Sequence, residues 1–387
     1  MNICVITPLY PVCGRSDIKT DTQAIHLLLK YLKKENKIHV FNISRVSPRE
    51  FAKSILNSKD SLKNAYNYQI DDINATLLRY RAYPKQKLLT KRQIVLVRQK
   101  IIQTLAEKKF VPDVIVVHIP SSFSIMLDGI FNGVKKIAVL HRTDVNIVAT
   151  LPKLAKIINR EYDLISCRSN SVKRMAQNLG IEVDEKIVFS GIPKEYLDPT
   201  YVHYFNNLKK QLNLLYVGKL IKRKHPEYLI RLCCDLNEKG INTHVHIIGD
   251  GPLRDKLQAI VNRCSQKEKI KMTRFVEREQ VQKYMRGADI FILPSVNETL
   301  GLVYLEAMAA GCITIGVINE GIDGIIRNGI NGYLINPENY DSLFDCVNSI
   351  IEEDSETIQQ VSNNAIKMAN CIPEEVASKN YLMLMQC

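Results

Sequence analysis

The sequence predicts an α/β protein built from two doubly wound, Rossmann-like domains. Segments that are apolar on both faces, such as NICVITPL and PDVIVVHIP, alternate with segments of helical spacing, such as TDTQAIHLLLKYLKKEN. This alternation indicates a parallel sheet that helices cover on both sides. The alternation of strand and helix segments stops at residues 198–212 and then starts again, which predicts that the same architecture occurs twice. A length of 387 residues accommodates two such domains.

The strand-like segments define the two predicted domains. They are NICVITPL, KIHVFNI, PDVIVVHIP, KKIAVLHRTD, YDLISCRS and EKIVFSGIP in the first half, and NLLYVGKL, HVHIIGDG, KIKMTRFV, ADIFILPS, GCITIGV and NGYLINP in the second. We predict domains at residues 1–200 and 201–370, and a helix at 371–387 that packs back on the first domain. Two such domains in tandem face each other across a cleft, and ligands bind outside the carboxyl ends of the strands.

Composition excludes several classes of protein. With 46% hydrophobic and 24% charged residues, the chain is globular. Its start lacks a cationic, apolar leader, and no apolar run approaches the length of a spanning helix. The ten cysteines show no C-x-x-C and no paired Cys/His spacing, which argues against a disulfide framework and structural zinc. We therefore expect a cytoplasmic protein without a bound metal.

The net charge of +13 lies in the first half of the chain. Residues 1–200 hold 32 Lys and Arg against 18 Asp and Glu, whereas residues 201–387 hold 21 against 22. Residues 79–100 contain eight basic residues and no acid, with interleaved apolar residues. Two interpretations stay open: a solvated helix face, or a helix at an anionic membrane surface. The candidate acceptor or membrane contacts are Arg79, Arg81, Lys85 and Lys87. Nucleic acid is a weaker option, since no reader motif accompanies the charge.

The stretch NETLGLVYLEAMAAGC places Glu306 inside an apolar, helix-forming run and Glu298 in the polar loop before it. A buried carboxylate needs a compensating partner, which paired hydroxyls of a ribose would supply. The free N–H groups of Gly301, Leu302 and Val303 form a helix start that attracts anions. Lys219 and Lys224, which follow a strand, would complete a diphosphate site.

These motifs resemble those of family 4 retaining glycosyltransferases, which have the GT-B fold. PSVNETLGLVYLEAMAAGCITIG is similar to their E-x7-E signature, and YVGKLIKRKHPEYLI to their V-G-R-L-x-x-x-K-G segment. IIGDGP resembles their G-x-G-P turn, and GIDGIIRNGINGYLINP their G-x-x-E-x-I-x-x-G-x-N-G segment. The resemblance is specific over residues 213–337. It weakens at Lys219 in place of Arg, at His225 in place of Gly, and in the first loop, where Gly14 alone remains of a glycine pair.

The resemblance implies the roles of the site residues. Lys219 and Lys224 contact the donor diphosphate, Glu298 the donor sugar, and His141 lies near the reacting centre. The donor-binding residues are Gly14, Gly218, Gly251, Thr299, Leu300, Gly301, Leu302, Val303 and Glu306. His118, a second histidine at a strand end, is interpreted as a satisfied structural residue.

The function implied is metal-independent, retaining hexosyl transfer from a UDP- or GDP-sugar to a saccharide or lipid-linked saccharide, with no cofactor besides the donor. It fits polysaccharide or lipid-linked glycan synthesis by a cytoplasmic protein, peripheral at the inner face of the plasma membrane. Other open hypotheses are a GT-B epimerase or phosphorylase, a non-catalytic nucleotide-binding scaffold subunit, and a nucleic-acid binder. The epimerase would convert a nucleotide-sugar without an acceptor, the scaffold would bind it without turnover, and the last would show salt-sensitive affinity for DNA or RNA.

Overall fold

The computed structural model describes residues 1–15, 18, 23–46, 65–81, 86–127, 129–205, 207–337 and 339–386. The chain divides into two compact units. The first contains Met1–Ser190 and Glu375–Cys387, and the second contains Gly191–Glu374. The sequence patterns place the corresponding boundaries at residues 200 and 370.

Strands and helices alternate through both units. The strands are β1 Asn2–Thr7, β2 Lys37–Val46, β3 Tyr66–Ile70, β4 Ile73–Arg81, β5 Val114–His118, β6 Lys135–Leu140, β7 Leu164–Cys167, β8 Gln211–Val217, β9 Asn242–Ile248, β10 Ile270–Thr273, β11 Ile290–Ile292, β12 Ile313–Val317 and β13 Tyr333–Ile335. The α-helices are α1 Ala24–Lys30, α2 Lys91–Glu107, α3 Ser124–Leu127, α4 Arg142–Thr150, α5 Lys153–Glu161, α6 Asn170–Asn178, α7 Glu227–Glu238, α8 Arg254–Arg263, α9 Arg278–Arg286, α10 Leu302–Ala309, α11 Tyr340–Glu352, α12 Ser355–Asn370 and α13 Glu374–Gln386. Short 3₁₀ turns include Pro120–Ser122 and Lys222–Lys224.

The first unit contains a seven-stranded sheet in the order β3-β4-β2-β1-β5-β6-β7. Its strands run parallel except at the edge, where β3 pairs antiparallel with β4. Asp71 and Asp72 form the tight turn between these two strands, both with positive φ, as a two-residue hairpin turn requires. This hairpin is absent from the predicted strands. The strand predicted for EKIVFSGIP is also wrong, since this segment forms only isolated β-bridges, as at Ile187.

Hydrophobic side chains cover both faces of this sheet. Along β1, Ile3 and Val5 pack into one cluster, whereas Cys4 and Ile6 pack into the other. The first cluster includes residues of α1 together with Tyr381 and Leu384 of α13, so the C-terminal helix belongs to the core of this unit. The predicted two-sided parallel sheet is confirmed here, because alternate strand residues are buried on opposite faces.

The basic segment 79–100 does not form a single helix, so the helix expected there is wrong. Arg79 and Arg81 lie in β4, and α2 begins only at Lys91, where Thr90 and Gln93 form a reciprocal capping box. Arg79 is 7% exposed, which removes it from any membrane-facing surface. Arg81 and Lys87 are exposed, and Lys85 lies outside the described residues.

The second unit contains a six-stranded, wholly parallel sheet in the order β10-β9-β8-β11-β12-β13. Its interior strands β11 and β12 are buried along their whole length, which explains their continuous apolar sequence. The sulfurs of Cys234 and Cys264 are bonded, whereas the other cysteines of the described chain are free. The sequence patterns argue against a disulfide framework, and this pair departs from that expectation.

Candidate active site

Helix α10 of the second unit begins immediately after Gly301. Gly301 has φ +77°, and a Cβ there would lie 2.7 Å from the ring of Tyr304, so the chain needs glycine at this point. Within the part of the chain that the structure describes, the backbone N–H groups of Leu302 and Val303 find no acceptor. Free N–H groups and the helix dipole attract an anion. The helix start therefore has the donors that a phosphate group requires.

The loop before this helix is fixed by close backbone packing. A Cβ at Gly321 would lie 2.2 Å from the carbonyl oxygen of Thr299, so Thr299 and Leu300 rest directly on that glycine. The backbone N–H of Glu298 donates to Glu320 at 2.9 Å. Residues 298–300 are thus held in one conformation that leads into the helix.

The carboxylate of Glu298 is the centre of a charged cluster. It lies 3.1 Å from the ammonium of Lys224 and 3.3 Å from the guanidinium of Arg223, and it accepts a hydrogen bond from Ser295 at 3.0 Å. Burial alone would raise the pKa of Glu298, but Lys224 and Arg223 outweigh it and hold that pKa below its ordinary value. Glu298 is therefore an ionised carboxylate, suited to accept hydrogen bonds from hydroxyl groups.

Two glycines bring the neighbouring loops together. A Cβ at Gly249 would lie 1.9 Å from the carbonyl oxygen of Gly218, and one at Gly251 would lie 2.5 Å from that of Leu220. The loops that follow β8 and β9 can therefore pack backbone against backbone. Lys219 lies in the first of these loops and is exposed, whereas the side chain of Lys224 is 13% exposed beside Glu298.

Glu306 lies inside α10 and is 8% exposed. Among the described residues its carboxylate has no hydrogen bond or ion pair at contact distance. Burial raises the pKa of Glu306, Arg278 opposes this, and Glu195 and Glu374 add to it. A buried carboxylate without a hydrogen-bond donor is costly, so Glu306 needs a donor from outside the described residues.

In the first unit, His141 follows β6 and occupies the N-cap position of α4, where its backbone carbonyl accepts from the N–H of Asp144. Its ring Nε2 lies 3.0 Å from Nδ1 of His118, and Nε2 of His118 lies 2.8 Å from the hydroxyl of Tyr381. The carboxylate of Asp144 accepts from the backbone N–H groups of His141 and Ser121, at 2.7 and 2.8 Å. Burial lowers the pKa of both histidines well below the usual value, so both rings are neutral.

A cavity of about 510 Å³ opens at the carboxyl ends of the strands of the first unit. Ile43, Phe123 and Ile147 supply apolar walls, and Arg45, Tyr80 and Lys87 supply polar ones. Arg45 and Lys87 are both exposed, and the ammonium of Lys87 donates to Thr150 at 2.7 Å. This cavity combines a cationic rim with an apolar interior.

The first loop of this unit contains Gly14, with φ +76°. A Cβ at Gly14 would lie 2.4 Å from the hydroxyl of Tyr66, which donates to the carbonyl of Cys13 at 3.0 Å. The need for glycine here is thus explained by contact with the edge strand β3. The predicted role of Gly14 in donor binding stays a prediction.

Arg223 and Tyr381, which received no role from the sequence patterns, belong to these clusters, and so does His118, which was interpreted as a structural residue. Arg223 shares the carboxylate of Glu298 with Lys224, whereas His118 and Tyr381 form a chain to His141. The run of cations KRK at 222–224 was the only signal for Arg223. Tyr381 lies 263 positions from His118, so no local pattern could associate them.

The described residues include no group of three or more His, Cys, Asp or Glu side chains that could hold a metal ion. Among them, no helix combines the length and the apolar character needed to cross a membrane.

Part of the chain is similar to known glycosyltransferases. Residues 203–368 match the family model of glycosyl transferases group 1. An uncharacterized glycosyltransferase of Methanocaldococcus jannaschii is 35% identical over 130 residues, which are 34% of this chain and 33% of that protein. A putative colanic acid biosynthesis glycosyltransferase of Salmonella typhimurium is 24% identical over 182 residues, which are 45% of each chain. The matches thus span between a third and a half of these curated relatives.

The crystal structure of HepE from Anabaena in complex with UDP is similar over 100% of both chains, with a TM-score of 0.68 and 14% identity. At that identity the similarity shows the fold. The predicted GT-B fold of two Rossmann-like α/β units is confirmed. The family match covers less than half of the chain, and over residues 203–368 the chain is similar to glycosyl transferases group 1.

Proposed function

We propose that the protein is a retaining glycosyltransferase of family 4, which moves a hexosyl group from a nucleotide-diphosphate donor to an acceptor hydroxyl. The observation that carries this proposal is the ion cluster of Glu298, Lys224 and Arg223 in the loops beside the open helix start at Gly301. A donor sugar with a diphosphate leaving group needs two partners. Its hydroxyl groups need a hydrogen-bond acceptor, and its phosphates need a positively polarised site.

The donor is proposed to contact α10 along its first turns. The diphosphate would accept from the N–H groups of Leu302 and Val303 and from Lys219 and Lys224. The carboxylate of Glu306 would accept from the ribose hydroxyls, which supplies the donors that it lacks among the described residues. UDP is the first nucleotide to test, since HepE was crystallised with UDP, and GDP is the second.

The proposed chemistry breaks the bond between the anomeric carbon and the diphosphate oxygen and forms a bond from that carbon to the acceptor oxygen. Attack occurs on the face that the diphosphate leaves, so configuration is retained and the leaving diphosphate takes the acceptor proton. Lys219, Lys224 and the helix start stabilise the negative charge that develops on it. This scheme requires no metal and no cofactor besides the donor. His141 would position the sugar or the acceptor instead of removing a proton.

The acceptor is proposed to bind the cavity of the first unit, where exposed Arg45 and Lys87 lie at the rim and Tyr80 offers a ring for a sugar face. A saccharide or lipid-linked saccharide with an anionic group fits this chemistry, and the name of the Salmonella relative points to polysaccharide synthesis. A peripheral position at an anionic membrane is part of this proposal. Replacing Arg81 and Lys87 by Gln should reduce sedimentation with anionic liposomes, and unchanged sedimentation would contradict it.

A donor screen tests the proposal against its alternatives. UDP-, GDP- and ADP-sugars are incubated with the protein, and binding, slow hydrolysis and transfer to added saccharide are measured. We expect one donor to bind, to hydrolyse slowly without acceptor and to yield an α-linked product from an α-donor. Conversion of the donor sugar without acceptor would indicate an epimerase instead, and binding without turnover would indicate a scaffold subunit.

A further inference from the structure

The side chain of His141 is connected through His118 to the C-terminal helix of the first unit. His118 ends β5 and is fully buried between two partners, Nε2 of His141 at 3.0 Å and the hydroxyl of Tyr381 at 2.8 Å. Tyr381 is also fully buried, and His141 is 6% exposed. The three groups form one continuous chain of hydrogen bonds that is shielded from water over most of its length.

The surroundings keep both imidazole rings neutral. Burial disfavours the imidazolium form, and Arg168, which is 3% exposed, adds a positive charge nearby. The carboxylate of Asp144 is occupied by the backbone N–H groups of Ser121 and His141. Each ring therefore carries one N–H and one bare nitrogen, and the position of that proton is decided by the hydrogen bonds of the chain.

The direction of these hydrogen bonds follows from the chemistry of Tyr381, which lies at one end of the series. A phenol is a better donor than an imidazole N–H, and an imidazole nitrogen is a better acceptor than a phenol oxygen. Tyr381 therefore donates to Nε2 of His118, which places the proton of His118 on Nδ1. That N–H donates to Nε2 of His141, so the remaining proton of His141 lies on Nδ1.

We propose that Tyr381 and His118 are positioning residues that hold His141 in the Nδ1–H tautomer. His141 then offers a hydrogen-bond donor to an oxygen of the bound sugar or acceptor. This role in turnover rests on the proposed glycosyl transfer, whereas the tautomer itself does not. A free histidine side chain in water prefers the Nε2–H tautomer, so the hydrogen bonds from Tyr381 and His118 impose the less common form.

Nitrogen NMR of the histidine rings tests the tautomer directly. Protein labelled with ¹⁵N-histidine contains eight histidines, and the spectra of His141→Gln and His118→Asn identify the two signals. We expect a protonated Nδ1 and a bare Nε2 for His141 in the wild-type protein at neutral pH. A protonated Nε2 would overturn the proposal, and this measurement needs no variant of Tyr381 to fold.

Kinetics separate positioning from a merely structural role. Tyr381→Phe removes the donor, and we expect a mixture of His141 tautomers and a fall in kcat of about tenfold, with KM for the donor little changed. His118→Asn, whose amide N–H replaces the Nδ1 donor, should retain more activity than His118→Leu. Tyr340→Phe is a control, since it deletes the hydroxyl of another buried tyrosine, which donates to Asp235 at 2.7 Å.

The outcomes are distinct. Tyr340→Phe should lose a comparable amount of thermal stability and keep the wild-type tautomer and kcat. If Tyr381→Phe loses stability but keeps both the Nδ1–H tautomer and kcat, the positioning role is wrong. If wild-type protein shows the Nδ1–H tautomer but transfers no sugar from any donor, the proposed function fails while the tautomer assignment stands.

Discussion

The ammonium of Lys224 lies 3.1 Å from the carboxylate of Glu298, and this ion pair joins the two proposed halves of the donor site. Lys224 is expected to serve the diphosphate and Glu298 the sugar, so a change at either residue alters the other. A point charge beside a carboxylate lowers its pKa, and that effect is lost together with the lysine.

Replacing Lys224 by Met should lower kcat by about a hundredfold, since one stabilising group for developing charge is removed. The acid limb of the pH profile should also move to higher pH, because the pKa of Glu298 rises without Lys224. Steady-state kinetics between about pH 5 and 8 measure both effects, because the pKa values of catalytic groups lie roughly in this range.

The control for this prediction is Lys222→Met, which removes an exposed lysine from the same 3₁₀ turn. It should keep the wild-type kcat and pH profile. Equal losses in both variants would show that only the overall positive charge matters, and they would remove Lys224 from the site.

Glu306→Gln and Glu298→Gln should change stability in opposite directions. The pKa of Glu306 is raised by burial, so its ionised form destabilises the folded protein above that pKa, and Gln should raise stability at pH 7 by about 1 kcal/mol. The pKa of Glu298 is lowered, so its ionised form stabilises the fold, and Gln should reduce stability at pH 7. The difference for Glu298→Gln should vanish when the pH falls below the folded pKa of Glu298, and the difference for Glu306→Gln when the pH falls below the ordinary pKa of a glutamate in the unfolded chain.

Urea unfolding at pH 7 and at acid pH measures these two effects, and calorimetry with UDP and GDP measures binding. Glu306→Gln should weaken nucleotide binding by about tenfold to a hundredfold, the range expected when a charged hydrogen-bond acceptor is lost. A variant that is more stable and binds nucleotide as tightly as wild type would refute the ribose contact.

The fold was predictable because most strands carry their own signal. Buried parallel strands such as β1 and β12 are apolar on both faces, and the helices between them have clear amphipathic spacing. The edge hairpin β3–β4 was not predictable from the sequence, since Tyr66–Ile70 has no residue that is fully buried and β4 ends in the basic segment 79–100. Edge strands lack the two-sided burial on which the prediction depends.

The geometry of the candidate site was predictable where it lies within one short segment, and not where it depends on distant pairing. The start of α10 and the glutamates on either side could be identified from sixteen consecutive residues. His225 shows the limit, since it adopts φ +42° at a position where the resembled family has glycine, and its stacking on Tyr228 is visible only in the structure. The hydrogen bonds that link Tyr381 through His118 to His141 were not predictable, because only the tertiary fold brings these residues together.

The stability of the first unit should fall as the pH drops below about 6.5, and one cause beside His118 and His141 is a third buried histidine outside the clusters described above. His39 is 1% exposed and bonds Thr76 at 3.0 Å, and burial lowers its pKa to about 3. The unfolded chain therefore takes up a proton at a pH where the folded chain does not, and stability is lost as pH falls through 6.5.

At pH 5 this single histidine should cost about 2 kcal/mol relative to pH 7. Urea unfolding of wild type and His39→Gln at both pH values checks this, and the variant should lose less stability between them. If the two proteins show the same pH dependence, His39 is protonated in the folded state and the burial argument is wrong.

Replacing Gly301 by Ala should cost more stability than the same change at a glycine that has a similar backbone conformation in open space. Gly240 has φ +85° and nothing within 4 Å of an added Cβ, so Gly240→Ala should lose about 1 kcal/mol of stability from the left-handed backbone alone. At Gly301 the added Cβ meets the ring of Tyr304 at 2.7 Å, which brings the loss to about 2–4 kcal/mol.

The ring of Tyr304 cannot move aside easily, because it is fully buried and its hydroxyl donates to the carbonyl of Leu293. The helix start must therefore shift, and Gly301→Ala should also weaken nucleotide binding, whereas Gly240→Ala should bind as wild type does. Urea unfolding and calorimetry on both variants measure these differences. Equal stability losses, or unchanged nucleotide affinity in Gly301→Ala, would show that the start of α10 is not the phosphate site.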